Sequence, residues 1–414
     1  MKKFVIILLV LCLLLGCGIG WFSSRGGSGE NAVPAPISEP AESEAPAQSA
    51  APAEGAEESA GTSFDTRSVD YDAIRALYAP DEIVGDVDGR EVSWEEYSYW
   101  LSDMGKQAEE YIATLAMYGQ SLGWDDKLSA ESEQTLAEYV VQLAQDCVRQ
   151  LDTVETIAEE NGVSLSEEDE AALAAQLQSD IVSACGEGAS EADFDAYLEE
   201  NHIGRAMYER LGRVNYLFQN TFSALYGQDG ADVPEADAIA FLRENSYLCA
   251  SHILFMTIDP ATHEALDDDT IAQKMQQAEE VSAELRAIED PAERAQRFAE
   301  LKEQYCEDSG KTSFPEGYLF TPGTMVTEFE DAVKALGEYE VSEPVLSPYG
   351  YHVIMCLPLS AEMTMDYSEA GTPLTARSIY ANTKYNELVS GRIDESVLTL
   401  RDDVAAFDLK DYLK

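Results

Sequence analysis

Residues 250–255 are Ala-Ser-His-Ile-Leu-Phe, and residues 349–355 are Tyr-Gly-Tyr-His-Val-Ile-Met. Branched and aromatic residues dominate both runs, which predicts two β-strands. The chain has only four histidines, and each run contains one of them, His252 and His352. A single histidine in a strand is usually structural. Two histidines, each in such a strand at opposite ends of one segment, indicate a functional site.

The residues between and after these histidines carry helix, turn and strand signals. Apolar periodicity and capping residues predict three helices and one further strand. The helices cover roughly residues 268–287, 291–305 and 328–336. The further strand lies near Val345, and the strand that contains His352 covers about residues 351–357. A loop rich in Gly and Pro separates the second helix from the third. The order β-α-α-α-β-β predicts an α+β domain, which we place at residues 246–360.

This domain resembles the parvulin (rotamase) family over about residues 246–358, because further segments follow in the family order. They are Tyr305-Cys306-Glu307-Asp308-Ser309, then Thr321–Glu330 with its Gly-x-Met and Phe-Glu pairs, then Val341–Val345 followed by Tyr349–His352. None of these motifs would suffice alone, but as a set they are specific. The resemblance implies an antiparallel sheet surrounded by helices, and peptidyl-prolyl cis/trans isomerase activity.

The same resemblance implies roles for six residues. His252 and His352 would form the central histidine pair, Asp308 would lie near the prolyl bond, Ser347 would add a hydroxyl to the histidine network, and Met325 and Phe329 would contact the proline ring. Prolyl isomerisation breaks no covalent bond and must cross a rotational barrier of about 18–20 kcal/mol. A desolvated apolar pocket can favour the twisted imide. We therefore expect no metal, no cofactor and no nucleophile.

One stretch departs from the family. Parvulins commonly carry Gly-Gly-Asp-Leu-Gly before the Gly-x-Met segment, whereas this chain has Ser313-Phe314-Pro315-Glu316-Gly317-Tyr318. The backbone turns of this loop and one apolar pocket residue are therefore expected to differ. A catalytically weak or inactive parvulin-fold holding chaperone follows as the alternative function.

The part of the chain before the parvulin-like domain is predicted to be helical. Residues 83–92 indicate a hairpin that turns at Asp88-Gly89, and Ser93 with Glu96 indicates a capping box that begins a helix. Further helices are predicted over roughly 136–157, after Ser166 and Ser190, over 205–226 and from Pro234. The segment Val84–Trp100 resembles the start of the helical domain of PrsA- and SurA-type foldases. We place this chaperone-like domain at residues 69–245.

Residues 361–414 are predicted to form a helical tail. An amphipathic helix is expected over about residues 381–398. We expect the tail to pack on the helical domain.

The first 22 residues indicate export and anchoring. Lys2 and Lys3 precede an apolar run that extends to Phe22, and positive charge is retained on the cytoplasmic side. Leu14-Leu15-Gly16-Cys17 resembles a lipobox with Cys17 as the lipidated residue, but the run is also just long enough for one transmembrane helix. Both alternatives stay open, and both place the rest of the chain outside the cytoplasmic membrane.

Composition limits the partners. Residues 23–68 are rich in Ala, Pro, Ser, Gly and Glu, which predicts a disordered linker. The chain has 79 acidic and 26 basic residues and a net charge of −53, which excludes nucleic acid as a partner. The cysteines form no CxxC pair, so no zinc site is expected. The predicted partners are unfolded or partly folded exported polypeptides with X-Pro bonds, the membrane through the anchor, and a second copy of the chain as a homodimer.

Overall fold

The computed structural model describes residues 65–129, 132–312, 314, 317–367 and 373–414. The predicted anchor with Cys17, and residues 23–64 of the predicted linker, lie outside the described residues. Asp65 and Arg67, at the end of the predicted linker, are hydrogen-bonded: the Trp124 amide donates to Asp65 and the Trp124 indole donates to the Arg67 carbonyl. No helix in the described ranges combines the length and the hydropathy that a membrane crossing requires.

The described chain forms two compact units, unit 1 up to Thr221 together with Leu388–Lys414, and unit 2 over Phe222–Glu387. The helices are α1 Tyr71–Arg75, α2 Trp94–Met117, α3 Leu136–Glu160, α4 Glu167–Cys185, α5 Glu191–Glu200, α6 Arg205–Tyr226, α7 Glu235–Glu244, α8 Asp268–Ala287, α9 Pro291–Tyr305, α10 Thr327–Ala335, α11 Ala376–Glu395 and α12 Asp402–Ala405. The strands are β1 Ile83–Val87, β2 Arg90–Ser93, β3 Leu248–Met256, β4 Tyr318–Phe320, β5 Val345–Ser347, β6 Gly350–Cys356, β7 Thr364–Tyr367, β8 Pro373–Thr375 and β9 Leu398–Leu400.

Unit 1 contains the predicted hairpin, formed by β1 and β2. Asp88 and Gly89 form its two-residue turn with φ of 51° and 93°, the left-handed backbone that such turns require. β9 pairs with the other edge of β1, so the sheet order is β2-β1-β9. The sequence predicts a helix over 381–398, but in the structure α11 ends at Glu395. Residues 398–400 instead make backbone hydrogen bonds with β1, which a helix could not do.

Two helices of unit 1 begin at the predicted caps Ser166 and Ser190. Ser166 forms a capping box with Asp169, and Ser190 forms one with Asp193. The capping box predicted at Ser93 is only half present, because Ser93 accepts the Glu96 amide but the Glu96 side chain does not return to Ser93. The Glu96 carboxylate is buried and turns inward.

An ion cluster joins three helices of unit 1. Arg210 on α6 bonds Glu96 on α2 at 2.5 Å and Glu155 on α3 at 2.8 Å, and it also bonds Asp152 on α3. Arg90 adds a second cation at 3.3 Å from Glu155. Glu96 and Asp152 are buried, so this cluster places two carboxylates in the interior of the helical unit.

Unit 2 contains an antiparallel sheet with the order β4-β3-β6-β5. α8 and α9 pack on β3 and β6, and α10 packs on β3, β5 and β6. The apolar residues of β3 and β6 belong to two clusters, one with α8 and α9 and one with α10. The α+β prediction is confirmed, with one strand added, because β4 lies in the segment that the sequence indicates only as a Gly/Pro loop.

Unit 2 extends beyond the predicted residues 246–360 on both sides. Val233 and Ala238 pack with Ala361 and Ala381 in one buried cluster. These contacts explain why residues 222–245 and 361–387 group with the sheet and not with the helical unit. The predicted domain boundaries rest on sequence signals, whereas the compact units rest on contacts between residues. The two divisions need not coincide, and the domain boundaries stay predictions.

Candidate active site

The two predicted histidines lie on the central strands of the unit 2 sheet. β3 and β6 are antiparallel neighbours, in which His252 opposes Ile354 and His352 opposes Leu254. Residues two positions apart in a strand share a face, as do residues opposite each other, so both imidazoles project from one side. Their Nδ1 atoms are 3.0 Å apart. The structure therefore brings His252 and His352 into hydrogen-bond contact.

Asp308 reaches this pair from the segment that follows α9. The Glu307 amide donates to the Leu254 carbonyl at 3.0 Å, which ties the segment to β3. The Asp308 Oδ2 atom then lies 2.8 Å from Nε2 of His252. Its Oδ1 atom accepts the Gly310 amide at 2.9 Å. Asp308 is thus fixed at the end of the histidine pair.

Three donors keep the Asp308 carboxylate ionised. Burial alone would raise its pKa, but hydrogen bonds from His252, from the Tyr318 hydroxyl and from the Gly310 amide hold the pKa of Asp308 well below its usual range. An ionised carboxylate can only accept hydrogen bonds. Asp308 is therefore the acceptor end of the network.

His352 is neutral at physiological pH. Burial, followed by the adjacent imidazole of His252, lowers the pKa of His352 to about 3. Its Nε2 atom lies 2.7 Å from the Ser347 hydroxyl, and the same hydroxyl accepts the Tyr349 amide at 3.1 Å. Both ring nitrogens of His352 therefore have partners.

Two proton arrangements satisfy this row of hydrogen bonds. With His252 neutral, its Nε2–H donates to Asp308 and its Nδ1 accepts from His352, so the Ser347 hydroxyl donates to Nε2 of His352. With His252 protonated, His252 donates from both nitrogens, and Nε2–H of His352 donates to Ser347. In both arrangements the row contains a neutral His352 and an ionised Asp308.

Apolar side chains border the histidine pair. The ring centroid of Phe329 lies 5.3 Å from that of His252 and 5.6 Å from that of His352, at interplanar angles of 88° and 75°. Phe329 belongs to a buried cluster with Phe320, and Met325 packs against that cluster. Of the two residues predicted to contact the proline ring, Phe329 thus lies beside both histidines, and Met325 packs against the cluster that contains Phe329.

Glu330 supports Met325 and was missed by the sequence analysis. One of its carboxylate oxygens accepts the Gly323 amide at 2.7 Å and the Met325 amide at 3.0 Å. Burial opposes ionisation of Glu330, but these two amides lower its pKa. The signal available in the sequence was the Phe-Glu pair itself, which indicates no partner for the glutamate.

Tyr318 is the second residue that the sequence analysis missed. Its hydroxyl donates to Asp308, and its ring lies 5.5 Å from the ring of His252. The signal was the Tyr-Leu-Phe run at residues 318–320, whose apolar and aromatic residues are typical of a strand but too few to identify one. Within the departing segment Ser313–Tyr318, residues 313, 315 and 316 lie outside the described residues.

A buried cation lies on the other face of the sheet. Nζ of Lys302 is 3.0 Å from the Ser251 hydroxyl, and burial lowers the pKa of Lys302. Ser251 adjoins His252 in β3, so strand alternation turns it away from the histidine pair. Lys302 therefore does not belong to the face that carries the site.

The four-stranded sheet, its helices and the paired histidines define a parvulin-type domain in unit 2. Residues 252–357 match the Rotamase family, described as the PPIC-type PPIASE domain. This segment belongs to that family, and the chain therefore carries a parvulin-type peptidyl-prolyl isomerase domain.

Known proteins with similar sequences are foldases and chaperones. Foldase protein PrsA 1 of Bacillus cereus is 40% identical over 85 residues, which cover 20% of this chain and 30% of that protein. Foldase protein PrsA of Oceanobacillus iheyensis is 27% identical over 241 residues, which cover 56% of this chain and 67% of that protein. The crystal structure of PrsA from Bacillus subtilis matches with a TM-score of 0.22 and 20% identity, over 64% of this chain and 89% of that chain.

These matches differ in extent. The strongly similar part spans 30% of the length of the Bacillus cereus relative. The sequence similarity is therefore strongest in the parvulin-type domain. The activity of the whole protein does not follow from this similarity.

Proposed function

We propose that the protein is a peptidyl-prolyl cis/trans isomerase that acts as a foldase on exported polypeptides. The observation that carries this proposal is the contact between His252 and His352 in a matched PPIC-type domain, with Asp308 at one end and Phe329 beside both rings. The alternative of an inactive holding chaperone is not favoured, because the histidine pair and its partners are present.

The proposed reaction depends on solvation and shape. The substrate imide loses resonance as it twists, and its barrier is about 18–20 kcal/mol. An apolar surface at Phe329 and Met325 would hold the proline ring away from water and favour the less polar twisted state. The donors around Asp308 occupy its oxygens, so we assign it to orienting His252 and not to nucleophilic attack. Ser347 would orient His352 in the same way.

Substrates, partners and location form a further part of the proposal. The relatives are named foldases and chaperones, which supports unfolded or partly folded polypeptides with X-Pro bonds as substrates of this chain. We place the protein on the extracytoplasmic side of the cell membrane, anchored through residues 1–22 by a lipid on Cys17 or by one transmembrane helix. A homodimer is included in the proposal, and the acidic composition supports the exclusion of nucleic acid.

The proposed activity can be tested with the full chain and an Ala-Pro peptide. We expect acceleration of cis/trans exchange that falls at least about tenfold in His252→Ala and in Asp308→Ala, because each change breaks the row of hydrogen bonds. The measurement is the exchange rate from line shapes or from a protease-coupled assay.

The matched control is His263→Asn, which replaces an exposed histidine outside the site. It should leave the rate unchanged. A folded wild-type chain that does not accelerate exchange would contradict the proposal, and aggregation suppression that survives in both site variants would then support the holding chaperone.

A further inference from the structure

Tyr318 occupies a position from which its side chain can reach the histidine pair. β4 pairs with β3 so that Tyr318 opposes Ala250, two residues before His252. Opposed residues share a face, so the Tyr318 ring emerges on the face that carries His252. The rings of Tyr318 and His252 pack with their planes at 65°. Tyr318 is therefore part of the site face, and its strand is fixed to β3.

The Tyr318 hydroxyl and the His252 imidazole bind the same oxygen. Oδ2 of Asp308 accepts from both, while Oδ1 accepts the Gly310 amide at 2.9 Å. The carboxylate plane is thus held at three points. Without the hydroxyl, the carboxylate would keep the imidazole on Oδ2 and the Gly310 amide on Oδ1. Its rotation about χ2, which is a broad torsion in aspartate, would then be less restricted.

The Tyr318 hydroxyl can only act as a donor toward Asp308. Burial and the adjacent carboxylate raise the pKa of Tyr318, so the hydroxyl keeps its proton throughout the physiological range. A hydrogen bond from a neutral donor to an ionised acceptor stabilises the charged form of the acceptor. The hydroxyl therefore helps to keep Asp308 ionised without adding a charge to the site.

We propose that Tyr318 is a positioning residue for the His252–Asp308 pair: its hydroxyl fixes the carboxylate so that Oδ2 faces Nε2 of His252. The consequence for catalysis rests on the proposed isomerase function. Tyr318 acts through Asp308 and has no assigned contact with the substrate. The role belongs to the hydroxyl and not to the ring, which separates it from packing alone.

The experiment uses the full chain as wild type, Tyr318→Phe and Tyr318→Ala, with carboxyl-labelled aspartate and Asp308→Asn for assignment. We expect the pKa of Asp308 in Tyr318→Phe to rise toward its ordinary value of 3.8, because the ring remains while the donor is lost. We also expect kcat for the Ala-Pro peptide to fall about tenfold with little change in KM. Tyr351→Phe removes a hydroxyl from the opposite face of the sheet and should change neither quantity.

Two results would overturn the inference. One is an Asp308 titration in Tyr318→Phe that superimposes on the wild-type curve. The other is loss of kcat in Tyr318→Ala with none in Tyr318→Phe, which would assign the effect to ring packing. The carboxyl titration does not require turnover, so an inactive wild type with a shifted Asp308 in Tyr318→Phe would reject the isomerase function and still support the positioning role.

Discussion

The buried hydroxyl of Ser347 lies between Nε2 of His352 and the Tyr349 amide. Interior polar atoms need such partners because an unsatisfied buried group costs about 1–3 kcal/mol. His352 is neutral and almost fully buried, so it has little access to water as a substitute partner. At the scale of single residues, Ser347 thus contributes to the stability of the strand pair as well as to the orientation of the imidazole.

Ser347→Ala should therefore destabilise the strand pair β5–β6 by about 1–3 kcal/mol, because it leaves Nε2 of His352 without a partner. Ser347→Thr keeps a hydroxyl and should cost less. The measurement is native-state hydrogen exchange of the β6 amides, which reports local stability. Equal exchange in wild type and Ser347→Ala would show that water replaces the hydroxyl.

The helices of unit 1 meet at the cluster of Glu96, Asp152, Glu155 and Arg210. Burial raises the pKa of Glu96 to about 7 and that of Asp152 to about 6, although Arg210 opposes both shifts. Among the residues that the structure describes, Oε1 of Glu96 and Oδ2 of Asp152 have no hydrogen-bond partner. At the scale of elements, the packing of α2, α3 and α6 is therefore coupled to proton uptake.

The sign of the pH dependence follows from the raised pKa of Glu96. The folded unit binds a proton more tightly than the unfolded chain, so the stabilisation is fully present below the unfolded value of 4.5 and is lost as the pH rises to about 7. Glu96→Gln cannot ionise and should lose this dependence. We expect the stability of Glu96→Gln relative to wild type to improve by up to about 3 kcal/mol between pH 5 and pH 8, measured by denaturant unfolding of unit 1.

Glu159→Gln, which changes an exposed partner of Arg90, is the control for this series. Its difference from wild type should stay nearly constant over the same pH range. A constant difference for Glu96→Gln as well would contradict the coupling between Glu96 and proton uptake.

Elements with long periodic patterns were predictable from the sequence, and short or mutually dependent features were not. β3, β6, α8 and α9 were found because apolar and capping residues repeat over many positions. β4 has three residues, and its hydrogen bonds to β3 decide that it is a strand. The inward turn of Glu96 depends on Arg210, which is distant in sequence and leaves no local signal. The histidines were identified from pattern and family resemblance, whereas Tyr318 required the register of β4.

At the scale of the whole molecule, the two units differ in how their residues are distributed along the chain. Unit 2 is continuous from Phe222 to Glu387, whereas unit 1 needs Leu388–Lys414 in addition to its first part. That later part contributes β9, the buried Val404 and Leu409, and a backbone hydrogen bond from Lys414 to the Ser68 carbonyl at 2.8 Å. Unit 1 is therefore stabilised by contacts between residues far apart in sequence.

Deletion of residues 397–414 should destabilise unit 1 and leave unit 2 intact. The deletion removes the pairing of β9 with β1, and each fully buried apolar side chain that is lost is worth about 1.5–3 kcal/mol. Hydrogen exchange should show loss of protection in β1 with unchanged protection in β3 and β6. Val397→Ala, at an exposed position just before β9, is the matched control. Full protection of β1 in the deletion variant would contradict the prediction.

The discontinuity of unit 1 also orders events during synthesis. A nascent chain that has emerged only to residue 387 contains every residue of unit 2, while β1 still lacks the neighbour that β9 provides. Domains fold as they leave the ribosome when their residues are complete. The isomerase-type domain can thus mature first. Until residues 398–400 emerge, the unpaired edge of β1 offers backbone hydrogen-bonding groups to any other polypeptide nearby.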